Sequence, residues 1–174
     1  IVLQPVGLFA HTTQAPLSLP WVRKVSDATR TLPSASSAYG LSGLFAGDAV
    51  TVDTTTITGD YDTKNVGGAL NGNTVTGGKI INLDGLQITG ADAANYTIAP
   101  DVVGQPIGII TPTDLLVVGV TAQNKVYDQT TTALLDNAGA GLQTVFGGDV
   151  VDLDTGAATG PFAGPHPAPG VAVT

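Results

Sequence analysis

The 174-residue sequence contains no cysteine, no methionine and no glutamate. Without cysteine the chain cannot form a disulfide bond. All 14 acidic residues are aspartate, which favours turns over helix interiors. Only 6 basic residues are present, and the net charge of −8 argues against nucleic acid or an anionic membrane as a partner, because both require clustered lysine and arginine. No apolar run reaches the roughly 18 residues that a membrane-spanning helix requires.

The abundant residues favour β-strands and turns. Hydrophobic residues make up 43% of the sequence and aromatic residues only 5%, so we expect an aliphatic core. The 23 glycines and 11 prolines separate stretches that are rich in β-branched residues. The sequence therefore predicts an all-β fold with antiparallel strands and almost no helix. Candidate strands lie at residues 49–57, 79–88, 95–99, 105–110 and 114–122.

An internal repeat with an offset of 101 residues runs through the sequence. KVSDATRT (24–31) aligns with KVYDQTTT (125–132), and LFAGDAV (44–50) aligns with VFGGDVV (145–151). QPVGLFAHT (4–12) aligns in the same register with QPIGIITPT (105–113). Without any gap, residues 1–73 pair with residues 102–174, and 20 of the 73 pairs are identical. One register kept over three separate blocks predicts a tandem array of similar units.

The offset predicts one complete unit and parts of two others. Residues 1–10 are expected to form the last strand of a preceding unit, residues 11–111 a complete unit, and residues 112–174 the first part of the next. That last part has no counterpart of residues 74–101. Because methionine is absent even from position 1, we expect a processed chain or a window on a longer array.

Five stretches of the sequence resemble the YDG-type repeats of large surface adhesins of the filamentous-haemagglutinin kind in Gram-negative bacteria. They are DTKNVGG (62–68), LQITGADAANYTI (86–98), IGIITPTDL (107–115), NKVYDQTTTA (124–133) and VFGGDVVDLD (145–154). Val25-Ser26-Asp27 departs from the Val-Tyr-Asp of the pattern, and GPHPAPG (164–170) departs from DTKNVGG. The resemblance implies tandem immunoglobulin-like β-sandwich repeats in a secreted stalk.

No arrangement of residues in the sequence indicates catalysis or a bound cofactor. Neither histidine faces another histidine in the repeat, and no phosphate-binding glycine motif occurs. The acidic pairs Asp60 with Asp62 and Asp152 with Asp154 are weak candidates for Ca²⁺ ligands, and solvated turn aspartates are the simpler interpretation. Lys24 or Lys125 with Asn95 would suit an isopeptide crosslink only if they met in a buried contact. Aromatic residues that recur in the repeat are expected in the core: Phe45, Tyr61, Phe146 and Phe162.

The sequence predicts a structural protein rather than an enzyme: a repeat segment of a secreted bacterial adhesin stalk or extracellular fibre that presents or spaces an adhesive tip. Its partners would be neighbouring units, or copies of itself joined head to tail, with host or matrix glycans reached through other parts of a longer chain. One alternative is an extracellular filament subunit joined by β-strand complementation. An alternative of another class is a carbohydrate- or calcium-binding module, for which Trp21, absent from the second copy, is the aromatic candidate.

The strand that would join one chain to the next is predicted at the start of the sequence. Its residues are Gln4, Pro5, Val6, Gly7, Leu8 and Phe9. If the chain is the whole mature protein, this strand is expected to meet the incomplete unit of another copy, because unpaired strand edges invite pairing. The missing stretch corresponds to 28 residues (74–101), whereas the strand supplies about ten and occupies a different place in the unit. This mismatch favours a piece of a longer array over a complete protomer.

Overall fold

A computed structural model describes residues 13–166 of the chain. The structure is 39% strand, and the described residues contain no α-helix, so the all-β prediction is confirmed. Two short 3-10 turns cover Ser36–Ala38 and Ala93–Asn95. The strands are β1 (Ala15–Leu17), β2 (Val22–Val25), β3 (Thr51–Asp53), β4 (Thr58–Tyr61), β5 (Ala69–Asn71), β6 (Thr74–Thr76), β7 (Lys79–Asp84), β8 (Gln87–Thr89), β9 (Tyr96–Ile98), β10 (Val102–Thr111), β11 (Leu116–Val118), β12 (Thr121–Ala122), β13 (Leu135–Asp136) and β14 (Gly141–Gln143).

The chain divides into two compact units after Thr113. Unit 1 covers residues 1–113 and unit 2 covers residues 114–174, of which the structure describes 13–113 and 114–166. The predicted border between the complete and the partial repeat, at residues 111 and 112, lies two residues earlier.

A four-stranded sheet with the order β2-β10-β7-β4 organises unit 1. Three further pairs of strands lie outside this sheet: β1 with β9, β3 with β8, and β5 with β6. β7 and β8 follow one another but join different partners, because the chain turns at Gly85 with φ +75°. The Asp84-Gly85 dipeptide therefore carries the chain from the four-stranded sheet to the β3–β8 pair.

Two pairings in unit 1 are parallel, so the prediction of purely antiparallel strands is wrong. β2 runs parallel to β10, with Val22 opposite Gly108, and β1 runs parallel to β9, with Ala15 opposite Tyr96. Both pairs join the beginning of the unit to its end. The chain between the paired strands is much longer than the roughly dozen residues that a parallel connection requires. Its length therefore permits either a parallel or an antiparallel pairing.

The four-stranded sheet supplies five residues to the main core of unit 1, namely Val22, Tyr61, Ile81, Leu83 and Ile110. The buried members of this core are Leu19, Val22, Tyr39, Val52, Tyr61, Ile81, Leu83, Leu86 and Ile110. A second cluster contains Leu17, Val50 and Tyr96. In β7 the burial alternates, since Ile81 and Leu83 are fully buried between exposed neighbours, as expected for a strand with one face on a core.

Unit 2 is built from two antiparallel strand pairs among its described residues, β11 with β14 and β12 with β13. Within residues 114–166, Ala133 is the only buried hydrophobic residue. Unit 2 therefore has no aliphatic core like that of unit 1 within this described range.

Candidate functional site

Residues 24–31 of unit 1 form a loop that closes around a lysine; we call it the first lysine loop. Asp27 Oδ1 accepts hydrogen bonds from the backbone N–H of Thr29 at 2.9 Å and from its hydroxyl at 2.8 Å. This is the local turn that aspartate favours, and it places Ala28 in the left-handed region with φ +59°. The turn directs the oxygen atoms of the loop inward, towards the side chain of Lys24.

The Lys24 ammonium group binds four oxygen atoms of the first lysine loop. Its Nζ lies 2.6 Å from Asp27 Oδ1 and donates to Thr29 O at 3.2 Å, Thr29 Oγ1 at 3.0 Å and Thr31 O at 3.1 Å. Nζ also lies 5.8 Å from the centre of the Tyr61 ring. The Lys24 side chain is only 6% exposed. A buried ammonium is tolerated because a carboxylate and several acceptors surround it.

The same arrangement occurs 101 residues later, in the second lysine loop at residues 125–132. Lys125 Nζ lies 2.8 Å from Asp128 Oδ1 and donates to Thr130 O at 3.1 Å, Thr130 Oγ1 at 2.7 Å and Thr132 O at 3.1 Å. Asp128 accepts from the N–H and hydroxyl of Thr130, and Gln129 has φ +65°. Lys125 is less buried than Lys24, with 23% of its side chain exposed.

Backbone contacts around the two loops also recur at the same offset. Tyr61 N donates to Arg30 O at 2.8 Å, and Phe162 N donates to Thr131 O at 2.6 Å. A turn is closed by Asp48 N and Phe45 O in unit 1 and by Asp149 N and Phe146 O in unit 2. Each lysine loop is thus hydrogen-bonded to the equivalent position, Tyr61 of β4 in unit 1 and Phe162 in unit 2, and is followed by the same turn.

The two loop aspartates titrate at low pH for related reasons. Burial raises the pKa of Asp27, but the hydrogen bonds from Lys24 and Thr29 outweigh it and hold this pKa below its ordinary value. The Asp128 side chain is about half-exposed, and the hydrogen bond from Lys125, together with those from Thr130, lowers its pKa to about 2. Both carboxylates therefore stay charged, opposite their lysines, at any pH near neutrality.

Of the four aromatic residues predicted for the core, Tyr61 is fully buried, and burial raises the pKa of its hydroxyl. Phe146 and Phe162 are half-buried in unit 2. The prediction is wrong for Phe45, whose side chain is 68% exposed. Phe45 begins a surface turn, and its ring packs on Tyr96 at 6.2 Å between centres instead of entering the main core.

The predicted acidic pairs do not converge with other ligands. Asp60 forms an ion pair with Arg30, and the backbone N–H of Asp62 donates to Ile80 O. Asp152 is exposed, and Asp154 accepts a hydrogen bond from Gly156 N at 2.8 Å, as a turn aspartate does. Among residues 13–166, no group of three or more histidine, cysteine or acidic side chains could hold a metal ion.

The other residues singled out in the sequence have structural partners. The Trp21 side chain is half-buried, its indole lies against Gly40, and the guanidinium of Arg23 lies 5.7 Å from the ring centre. Asn95 is exposed, whereas Lys24 is enclosed by its own loop. The predicted joining strand, residues 4–9, lies outside the described residues.

Sequence reasoning missed a hydrogen-bond network around Tyr96. The Tyr96 hydroxyl donates to Asp48 Oδ2 at 2.6 Å and accepts from Phe45 N at 3.0 Å. Asp92 Oδ2 accepts from Ala49 N at 2.8 Å in the same region. Burial, followed by the bond to Asp48, raises the pKa of Tyr96. The Gly-Asp dipeptide that recurs at residues 47–48 and 148–149 is a sequence signal for the Asp48 part of this network. Tyr96 itself lies in residues 74–101, which have no second copy in the sequence.

Unit 2 contains a cleft of about 480 Å³ beside the second lysine loop. Ala133 and Ala158 line it at the places where unit 1 has Leu32 and Ile57, both packed on the core. Asn137 also lines the cleft, and its Oδ1 is buried without a hydrogen-bond partner. Small residues of unit 2 thus line the cleft at two positions where unit 1 has large side chains packed on its core.

Unit 1 is thus an all-β domain in which the buried Lys24 binds the first lysine loop. The sequence profile of the YDG domain matches residues 13–103, which is more than half of the chain. The chain belongs to the YDG domain family. No curated protein matches the chain, and no solved structure matches it. Within the described residues there is no helix long and apolar enough to span a membrane.

Proposed function

We propose that this chain is a structural repeat segment of a secreted bacterial adhesin stalk or extracellular fibre, in which it spaces or presents an adhesive tip and catalyses no reaction. The observation that carries the proposal is the lysine loop that recurs at residues 24–31 and 125–132 with the same hydrogen bonds. Recurrence of a structural device, without a recurring catalytic group, suits a protein whose units act as spacers.

The proposed architecture is a tandem array of immunoglobulin-like β-sandwich repeats with a period of 101 residues. The all-β fold, the membership of residues 13–103 in the YDG domain family and the common register of the recurring contacts support it. The partners in this proposal are neighbouring units of the same array, with host or matrix glycans bound by other parts of a longer chain. The net charge of −8 disfavours nucleic acid.

The proposal is tested by locating the protein on intact cells of the bacterium that encodes it. Antibodies against residues 13–166 are expected to label unpermeabilised cells or the fibres around them, and external protease is expected to remove the label. Labelling that appears only after the cells are lysed would contradict the proposal. An antibody against a cytosolic protein provides the control for cell integrity.

A second candidate is a self-assembling filament subunit joined by β-strand complementation. The specific observation in its favour is that strand β11 of unit 2 leaves the apolar side chains of Leu116 and Val117 exposed. Exposed apolar strands with free edges favour pairing with another chain. The concentration dependence of the molecular mass tests this candidate, since a filament subunit is expected to grow beyond a dimer.

A further inference from the structure

Two parallel strand pairs connect the beginning of unit 1 to its end. Strand β2 lies beside β10, with Val22 opposite Gly108 and Val25 opposite Thr111. Strand β1 lies in the same direction beside β9. Within the described residues, the chain passes through β1 and β2 first and leaves unit 1 after β10. Tension carried along the chain therefore acts on these two pairs.

The parallel direction determines how such tension loads the hydrogen bonds between β2 and β10. Because the two strands run the same way, the start of β2 and the end of β10 lie at opposite ends of their shared ladder. Tension applied before β2 and after β10 slides one strand along the other and loads all bonds of the ladder at once. In an antiparallel pair both pulled ends would lie at one end of the ladder, and the bonds would break one after another.

Further hydrogen bonds hold the β2–β10 ladder at both of its ends. Ser26 N donates to Thr111 O at 2.9 Å, and Thr111 Oγ1 donates to Lys24 O at 3.3 Å. At the start of β2, the Tyr61 hydroxyl donates to Val22 O at 3.3 Å. On its other side β10 pairs with β7, so the four-stranded sheet holds β10 in place while β2 is pulled.

The β2–β10 ladder is also shielded from water. Val22 and Lys24 of β2 are buried, and so are Ile109 and Ile110 of β10. Water can replace a stretched hydrogen bond between strands only where it reaches the bonded groups, and a bond broken without such replacement leaves both groups unsatisfied. Burial therefore raises the barrier to sliding β2 along β10.

The β1–β9 pair adds a second, shorter ladder of the same kind. Gln14 Nε2 donates to Ala94 O at 2.8 Å just before β1 begins. Strand β9 is attached to the rest of unit 1 by the Tyr96 hydroxyl, which donates to Asp48 Oδ2 at 2.6 Å. Tension applied before β1 therefore meets this ladder before it reaches β2.

We propose that unit 1 bears tension along the chain, and that the β2–β10 ladder, assisted by β1–β9, is the mechanical clamp that must break before the unit unfolds. This inference rests on the proposed function, because an adhesive tip that holds a surface pulls on every stalk unit between the tip and the cell. The property that governs such a unit is the rate at which it unfolds under force, rather than its equilibrium stability. The clamp raises resistance in one direction only, along the line that joins the two chain ends of unit 1.

Single-molecule force spectroscopy of the full chain, held at two chosen points, tests the proposal. The chain contains no cysteine, so two introduced cysteines are the only attachment points. Thr13→Cys with Asp114→Cys applies tension before β1 and after β10, which loads both ladders in shear. Ser18→Cys with Asp101→Cys is the matched pair, because it attaches between β1 and β2 and between β9 and β10 and pulls both ladders open from one end. All four residues are exposed.

At one loading rate, the unfolding force of the shear pair is expected to exceed that of the matched pair by about twofold or more. A gain of roughly 300 Å in chain length identifies the unfolding of unit 1 in the shear pair. Denaturant unfolding of both variants before attachment should give the midpoint of the unaltered chain, so that the two forces are compared at equal stability. If Asp101→Cys lowers this midpoint, Ala99→Cys, which is also exposed, takes its place.

Equal forces for the two pairs, or a higher force for the matched pair, would overturn the proposal. That result would leave the adhesin proposal in place, because the location of the protein on cells does not depend on the clamp. Labelling of cells only after lysis would instead contradict the adhesin proposal, and with it the source of the tension, whatever the ratio of the two forces.

Discussion

The ammonium groups of Lys24 and Lys125 bind the same set of acceptors in the residues that follow them. In each loop these are one carboxylate, one hydroxyl and two backbone carbonyl groups. Each ammonium thereby satisfies loop carbonyl groups that the strands do not use. The two loops differ in burial, because Tyr61 and the core of unit 1 cover Lys24, whereas 23% of the Lys125 side chain remains exposed. The same interaction should consequently contribute different amounts of stability in the two units.

Replacing each lysine by alanine measures this difference. Lys24→Ala is expected to lower the free energy of unfolding by about 3 kcal/mol, because it leaves the loop acceptors without their buried partner. Lys125→Ala is the matched variant and should cost about 1 kcal/mol or less, since water screens a more exposed pair. Denaturant unfolding followed by fluorescence of Trp21, which lies in unit 1, and by circular dichroism gives both values. Equal losses would show that burial does not govern the strength of the loop.

Ala28 occupies a backbone conformation that suits glycine. Its φ of +59° crowds the Cβ atom, whereas glycine adopts this region freely. Ala28→Gly is therefore expected to raise the free energy of unfolding by about 1 kcal/mol. Ala94→Gly provides the control, because Ala94 is exposed and does not have a positive φ, so this change should be neutral or destabilising. Destabilisation by Ala28→Gly would contradict the left-handed geometry of the loop.

The carboxyl group of Asp128 reports the second lysine loop through its titration. Its folded pKa of about 2 lies below the ordinary value of 3.8, because Lys125 and Thr130 donate to the carboxylate. The interaction therefore stabilises the fold above about pH 4 and is lost as the pH falls through about 2. Carboxyl ¹³C shifts recorded between pH 7 and pH 1.5 should show the low midpoint, and Lys125→Ala should return it towards 3.8. A midpoint near 3.8 in the unaltered chain would show that the ion pair does not form in solution.

At the residue scale, the sequence shows which positions recur, but it does not show which side chains are in contact. The shared pattern K-V-x-D-x-T-x-T is visible in the alignment of residues 24–31 with 125–132. The closure of the loop on its own lysine was not visible, because it depends on a left-handed residue that is alanine in one copy and glutamine in the other. Phe45 was misplaced because recurrence of an aromatic residue also fits a surface turn.

At the scale of elements, β10 joins the two ends of unit 1 by pairing with β2 on one side and β7 on the other. Residues 105–110 were predicted as a strand, and the structure extends this strand to Val102–Thr111. Its parallel partner was not predictable from periodicity, because alternation of apolar residues fixes a face of the sheet and not the direction of a neighbour. The stretch 114–122 was also predicted as one strand, whereas Gly119, with φ +78°, separates β11 from β12.

The close packing of β10 on Tyr61 is tested at Gly108. A Cβ atom there would lie 2.7 Å from Tyr61 Cε1 and 2.8 Å from Lys79 O, so Gly108→Ala forces β10 away from its neighbours. We expect a loss of about 1–3 kcal/mol in the free energy of unfolding. Gly141→Ala in β14 is the matched control, because its surroundings are open and the change should cost little. A neutral effect of Gly108→Ala would show that β10 lies further from Tyr61.

At the scale of the whole molecule, the two units share local contacts but differ in the residues that they bury. Equivalent backbone hydrogen bonds attach the first lysine loop to Tyr61 and the second lysine loop to Phe162. The buried cluster of unit 1 also uses Ile81, Leu83, Leu86 and Ile110, and all four come from residues 74–111, for which the sequence holds no later counterpart. The offset of 101 residues predicts a border after residue 111 from identical positions alone, and the structure divides after Thr113. The packing of the cluster could not be predicted, because it depends on which strands become neighbours.

The central claim is that residues 11–111 form a self-contained folding unit, and the stability of this segment alone tests it most directly. The isolated segment is expected to unfold cooperatively in denaturant, to give a far-UV circular dichroism spectrum of the β type, and to keep the unfolding free energy of unit 1 within about 1 kcal/mol of its value in the full chain. A segment that is unfolded, that unfolds without cooperativity or that is mainly helical would contradict the claim.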